Sequence, residues 1–155
     1  VTEERKGPFL RYLIKEKNIK QALVFTSSTR SADNLAEKLK KNKIPATAVH
    51  GKKSQGSRSG NLHDFKEGGT QILVATDLIG RGIHIDSLEY VINYELPRSP
   101  LDYVHRIGRT GRALESGTAI TILTDDELQH FRVIQKKMGK RVELIRTEDI
   151  NLHGF

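Results

Sequence analysis

The sequence predicts a three-layer α/β domain in which helices flank a mainly parallel central sheet. Short apolar runs rich in β-branched residues recur along the chain, and a turn and a helical pattern follow each of them. The runs are nearly continuous in hydrophobicity, as expected for parallel strands that are covered on both faces. The predicted strands are Gln21–Thr26, Ala46–Val49, Gln71–Ala75, Tyr90–Asn93 and Ala119–Leu123.

The helical patterns differ in strength. Between Ser31 and Asn42, apolar residues recur at i, i+3, i+4 and i+7 and therefore form one face. The pattern at Gln55–Lys66 is weaker because Gly60 costs about 1 kcal/mol relative to alanine in a helix interior. The predicted helices are Phe9–Lys17, Ser31–Asn42, Gln55–Lys66, Leu101–Ile107 and Asp126–Met138.

The length of the chain suits one domain. With 155 residues, the chain can bury enough apolar surface to fold alone. We expect residues 1–155 to form this single domain. Within residues 140–155 we expect an edge strand, carried by Val142, Leu144 and Ile145, and a flexible tail from Thr147 to Phe155.

Composition excludes several kinds of site and suggests one class of partner. Lys and Arg total 26 against 19 Asp and Glu, which gives a net charge of +7 that attracts polyanions without identifying one. The absence of cysteine excludes disulfides and cysteine-based zinc sites. No apolar run approaches the roughly 18 residues of a membrane span, and no signal peptide opens the chain. These features predict no membrane partner and a cytoplasmic location, or a nuclear one in a eukaryote. We also expect the chain to be a monomer.

The most distinctive segment is Tyr103–Arg112. Three arginines, one histidine and two glycines are concentrated there. In a helix, His105, Arg109 and Arg112 would share a face at i, i+4 and i+7, where like charges repel. This arrangement favours binding of a multiply charged anion, such as a nucleotide phosphate, because arginine has a permanent charge and a planar donor fork. A solvated basic turn is the alternative, and the charges alone do not decide between them.

Three other segments place polar residues after predicted strands, where ligands gather in parallel sheets. Thr76 and Asp77 end one strand and precede a glycine-bearing loop, Gln55 and Arg58 follow Ser54 in the first turn of a helix, and hydroxyl residues follow Phe25. Taken singly, each segment is explained as well or better by ordinary helix capping.

In this order and spacing, the four segments resemble the C-terminal half of DEAD-box ATP-dependent RNA helicases. HRIGRTGR resembles motif VI of that family, VATDLIGRGIHI motif V, LVFTSSTRSADNLAEKL motif IV, and VHG followed by SQGSR the region of its Gln-x-x-Arg motif. The resemblance runs from about Lys6 to Leu123 and implies a RecA-like domain.

The resemblance implies a nucleotide site shared with another domain. Arg109 and Arg112 match the arginines that reach across a cleft to ATP, Arg112 as the arginine finger, and His105 matches an inter-domain contact. The other positions that match the family's nucleotide or inter-domain residues are Asp77, Arg81, Gly82 and His84. Asp77 and Arg81 are expected to brace motifs V and VI rather than to touch substrate.

The resemblance also implies half of an RNA groove. Ser28, Gln55, Arg58 and Thr76 match positions that hold the sugar-phosphate backbone. Contacts of this kind position a strand without reading its sequence, so we expect little sequence specificity.

Two departures and one absence qualify the resemblance. His84 stands where the family has an aspartate that approaches the ATP ribose, and Lys52-Lys53 replaces a more neutral or acidic stretch. The chain contains neither a G-x-x-x-x-G-K-[ST] phosphate loop nor Asp-Glu-Ala-Asp. ATP and Mg²⁺ are therefore expected to be held mainly by a separate N-terminal RecA-like domain, and this chain alone is expected not to hydrolyse ATP.

Two other functions remain open. A catalytically silent RNA-binding or scaffold module with the same fold is one alternative, and His84 is the residue that favours it. A helicase of the same superfamily that acts on DNA is the other, and the form of HRIGRTGR argues against it.

Overall fold

The fold is described from a computed structural model, which covers residues 1–50, 55–77, 88–107, 117–139 and 142–155, with backbone only at 55, 57 and 107. A 3₁₀ turn at Asp125–Glu127 precedes the last helix. The helices are α1 (Glu3–Glu16), α2 (Thr29–Lys41), α3 (Gln55–Lys66), α4 (Pro100–Ile107) and α5 (Leu128–Met138). The strands are β1 (Ala22–Thr26), β2 (Ala46–Val49), β3 (Ile72–Thr76), β4 (Tyr90–Asn93) and β5 (Thr118–Thr121). No helix in these ranges is long and apolar enough to cross a bilayer.

The strands form one sheet in the order β2-β3-β1-β4-β5, and every neighbouring pair is parallel. The predicted α/β fold with a parallel sheet and flanking helices is therefore confirmed. The element bounds differ from the predicted ones mainly at α1. This helix begins at Glu3 rather than at Phe9 and includes Gly7 and Pro8.

Both faces of the sheet are covered, which explains why the strands are apolar throughout. Successive side chains of a strand point to opposite faces. Ala22 and Val24 pack with the apolar residues of α1 and α2, whereas Leu23 and Phe25 pack on the other face with Phe65 of α3. A third apolar cluster joins α4 to α5.

The last turn of α4 is fastened to the sheet by a buried arginine. Arg106 is only 1% exposed. Its guanidinium donates to both carboxylate oxygens of Asp77, with Nη2 2.8 Å from Oδ2, and to Oδ1 of Asn93 at 3.2 Å. It also donates to the carbonyl of Glu95 and lies 5.1 Å from the centroid of the Phe25 ring. One side chain thus joins α4 to the ends of β1, β3 and β4.

The predicted edge strand near the C-terminus is absent. Residues 142–148 contain no strand, and Val142, Leu144 and Ile145 are exposed, Ile145 by 78%. The backbone N–H of Val142 donates to the side chain of Gln135 on α5 at 2.9 Å and not to a neighbouring strand. The prediction rested on three apolar residues in alternation, and alternation alone does not supply a sheet edge to pair with.

The segment expected to be a flexible tail instead packs against α1. Arg5 donates to the carbonyls of Thr147 and Ile150 at 3.2 and 2.8 Å. The ring of Phe155 meets Tyr12 edge-on at 5.6 Å. These contacts fix the end of the chain on the domain.

Replacing Gly60 by alanine should stabilise the domain. Gly60 lies in α3, and an added Cβ would meet open space. Removing the glycine should raise the free energy of unfolding by about 0.5–1 kcal/mol and the Tm by about 1–4 °C, as measured by thermal melting. Gly139→Ala is the matched control: it also has room for a Cβ, but its φ of 72° should make alanine destabilising. A loss of stability in Gly60→Ala would contradict the expected gain.

Removing the charge of Asp77 should cost the domain much more than removing an exposed one. Asp77→Asn leaves the Arg106 guanidinium buried without its counter-charge, so we expect a loss of about 3 kcal/mol and a Tm lower by about 6–12 °C. The control is Glu37→Gln, an exposed acid 3.8 Å from Lys40, which should change stability by less than about 0.5 kcal/mol. Equal effects of the two substitutions would mean that the buried pair does not stabilise α4.

Candidate functional site

The polar residues that follow β1 and β3 lie at one edge of the sheet. Because the strands are parallel, their carboxyl ends meet at the same edge, and Thr26 of β1 is paired in register with Thr76 of β3. β2 lies beside β3, so α2 and α3, which follow β1 and β2, begin at this edge too. The strands are about 4.8 Å apart, so this three-strand stretch is about 10 Å wide. We call it the hydroxyl edge; it comprises Ser27, Ser28, Thr76 and the first turn of α3.

Ser28 is the N-cap of α2. Its backbone is extended, and its Oγ accepts a hydrogen bond from the N–H of Ser31 at 3.1 Å. A hydroxyl that accepts one bond still has its own proton to donate. The first turn of α2 contains no acidic residue. The capping and binding interpretations of this segment are therefore compatible, since Ser28 can cap α2 and still donate to an anion.

Thr76 is much less accessible. Thr76 is the last residue of β3 and is only 8% exposed. The neighbouring Thr26 is fully buried, and its Oγ1 donates to the carbonyl of Ser28 at 3.3 Å. Little of Thr76 is therefore open to a ligand.

α3 begins at Gln55 and contains no acidic residue in its first turn. Arg58 lies in that turn and is partly exposed. A helix amino end of this kind has N–H groups without helical partners and a partial positive charge, both of which suit an anion.

Asp77 is held between the hydroxyl edge and α4. It directly follows Thr76, its side chain is 25% exposed, and both of its carboxylate oxygens accept from Arg106. Its charge is therefore balanced within the domain. His105, which directly precedes Arg106 in α4, is exposed.

Five of the predicted nucleotide-site residues lie outside the described part of the chain. They are Arg81, Gly82, His84, Arg109 and Arg112. Within the described ranges, no three His, Asp or Glu side chains come together as metal ligands.

The sequence did not identify three residues that complete the site. Arg106 is one of several basic residues in its segment but lies buried, and no motif marks Asn93 or Glu95. The available signal was their position: polar residues directly after a buried strand lie at the edge where ligands gather.

The loop after β4 is also held in place by a contact with Lys6 of α1. Lys6 is only 2% exposed, and its ammonium donates to the carbonyl of Tyr94 and lies 3.0 Å from Oε1 of Glu127. Burial acts to raise the pKa of Glu127, but hydrogen bonds from Thr124 and Lys6 outweigh it and hold that pKa below its usual value. Burial, with the nearby charges of Glu3 and Glu95, raises the pKa of Tyr94 to about 12.

The chain matches known helicases over most of its length. The helicase conserved C-terminal domain family matches residues 5–114. The chain is similar to "ATP-dependent RNA helicase dbp8" of Emericella nidulans, with 40% identity over 148 residues that cover 94% of this chain and 28% of that protein. It thus spans about a quarter of the length of this curated relative.

Solved structures agree with this match. A DEAD box protein from the hyperthermophile Methanococcus jannaschii has a TM-score of 0.89 at 38% identity, covering 94% of this chain and 40% of that one. The C-terminal domain of the DEAD-box protein Dbp5 has a TM-score of 0.80 at 32% identity, covering 89% of this chain and 81% of that domain. The chain therefore belongs to the DEAD-box RNA helicases, as their conserved C-terminal helicase domain.

Proposed function

We propose that this chain is the second half of an ATP-dependent RNA helicase and works with an N-terminal RecA-like domain that carries the phosphate loop. It supplies an arginine finger for ATP hydrolysis and half of a groove for the RNA backbone. The observation that carries this proposal is the fastening of α4 by Arg106. These bonds tie α4, which precedes Arg109 and Arg112 in the sequence, to the same sheet edge that holds Ser28 and Thr76.

The hydroxyl edge suits the backbone of a single RNA strand. Ser28 can donate a hydroxyl proton, Arg58 carries a charge in the first turn of α3, and the amino ends of α2 and α3 lack acidic residues. The net charge of +7 favours a polyanion. Such groups recognise phosphates and sugars, so binding with little sequence preference follows.

The nucleotide contribution rests on Arg109 and Arg112. Both follow Arg106 in the same segment, and each carries a charge that is permanent at neutral pH. In NTPases an arginine finger stabilises charge on the transferring phosphoryl group and is worth 10³–10⁵ in rate. His105, exposed at the end of α4, would meet the N-terminal domain.

Arg112→Ala in the two-domain protein should reduce catalysis and leave folding nearly unchanged. A contact made mainly in the transition state lowers kcat, and we expect a loss of at least about 10²-fold, or about 2.7 kcal/mol, in RNA-stimulated ATPase. Arg132→Ala, which removes an exposed arginine of α5, is the matched control and should leave kcat unchanged. The chain without its partner domain should show no RNA-stimulated ATPase.

Two results would contradict the arginine-finger assignment. One is an unchanged kcat in Arg112→Ala. The other is a Tm lower by more than about 8 °C, which would make Arg112 a structural residue.

Arg58→Ala should weaken single-stranded RNA of every sequence by a similar factor. The loss of one phosphate contact should also reduce the slope of log affinity against log salt by about one unit. The measurement is a salt titration of RNA binding with several unrelated sequences, again with Arg132→Ala as control. A strong preference for one sequence, or an affinity indifferent to salt, would contradict a backbone groove.

A further inference from the structure

Glu95 joins the two halves of the proposed site through its backbone and its side chain. Its carbonyl accepts from Nη1 of Arg106, whereas its carboxylate accepts from Ser27. Glu95 thus contacts both Arg106, which fastens α4 to the sheet, and Ser27, which directly precedes the N-cap of α2.

The backbone of Glu95 is fixed before the side chain makes any contact. The N–H groups of Tyr94 and Glu95 both donate to the carbonyl of Phe25, at 3.0 and 3.3 Å, which extends the pairing between β4 and β1. The carbonyl of Tyr94 accepts from the buried Lys6 at 3.0 Å. Held in this way, Glu95 presents its carboxylate from a rigid support.

The carboxylate holds Ser27 through two hydrogen bonds. Oε1 accepts from the backbone N–H of Ser27 at 2.8 Å and from its Oγ at 3.1 Å. Ser27 is flanked by Thr26, which ends β1, and by Ser28, which caps α2. Ser27 and Arg106 are therefore held relative to each other by the side chain and the backbone carbonyl of the same residue.

Ion pairing and RNA affinity do not explain a carboxylate at this position. Among the described residues, Glu95 makes no ion pair with a lysine or arginine. A negative charge beside an expected phosphate site repels RNA. A role in holding Ser27 in position relative to Arg106 is consistent with both facts.

We propose that Glu95 is a positioning residue that couples RNA binding at Ser27–Ser28 to Arg106 in the last turn of α4. This inference rests on the proposed function. Coupling of this kind is reciprocal: nucleotide tightens RNA binding by the same factor by which RNA tightens nucleotide binding.

The test measures that factor in the two-domain protein. The affinity for a single-stranded RNA is determined without nucleotide and with ADP, beryllium fluoride and Mg²⁺, and the ratio is the coupling factor. We expect Glu95→Ala to lower the factor at least fivefold, whereas RNA affinity without nucleotide is unchanged or higher because a like charge has been removed. A merely structural role would instead weaken RNA binding in both conditions.

Three further variants make the test specific. Glu95→Gln retains an oxygen that accepts from Ser27 and should keep the coupling factor within about twofold of the wild-type value. Ser27→Ala should lower it less than Glu95→Ala and should add nothing in the Glu95→Ala background, since both changes break the same link. Glu37→Ala removes the same charge from the exposed face of α2 and should have no effect.

The outcomes separate the inference from the function on which it rests. A wild-type protein in which nucleotide and RNA bind independently would overturn the proposed function, and the inference with it. A wild-type protein that couples the two ligands, with equal coupling in Glu95→Ala, would overturn the inference alone.

Discussion

The burial of one permanent charge organises this domain. The guanidinium of a buried arginine needs hydrogen-bond acceptors, and four of them surround Arg106. They are the two oxygens of Asp77, the amide oxygen of Asn93 and the carbonyl of Glu95, with the ring of Phe25 against the planar face. Each acceptor comes from the end of a strand or the loop after it. A lysine, with a single nitrogen, could not reach all of them, and an apolar side chain would leave Asp77 without a partner.

That constraint explains why the last turn of α4 lies at the same sheet edge as Ser28 and Thr76. The position of Thr76 is set by β3, and the next residue, Asp77, is set by Arg106. The position of Ser28 is set by β1 and by its cap on α2. Hydrogen bonds to Glu95 connect Ser27 of the hydroxyl edge with Arg106 in the last turn of α4, although Ser27 and Arg106 are far apart in sequence.

The sequence predicted the sheet well because burial on both faces leaves a direct signal. β2 and β4 begin and end as predicted, and β1 differs by one residue. Prediction failed where the outcome depended on distant parts of the chain. The extra turn of α1 at Glu3–Pro8 is helical because Lys6 is buried against Tyr94 and Glu127, and the terminal segment packs because Arg5 binds its carbonyls. In the candidate site, motif resemblance is enough to propose Thr76 and Ser28. The burial of Arg106 and the role of Glu95 could not be predicted, because they depend on the order of the strands in the sheet.

The strand order also dictates when the sheet can assemble as the chain leaves the ribosome. β1 and β2 are not neighbours, and both pair with β3. About 50 residues separate the end of β1 from the end of β3, which at about 5–20 residues per second corresponds to roughly 3–10 s of synthesis. During that interval the amphipathic α2 and the apolar strands β1 and β2 have emerged from the ribosome. Neither strand can pair yet, because β3 is not complete. The nascent domain is therefore exposed to aggregation until β3 is complete, and local helix formation cannot shorten that interval.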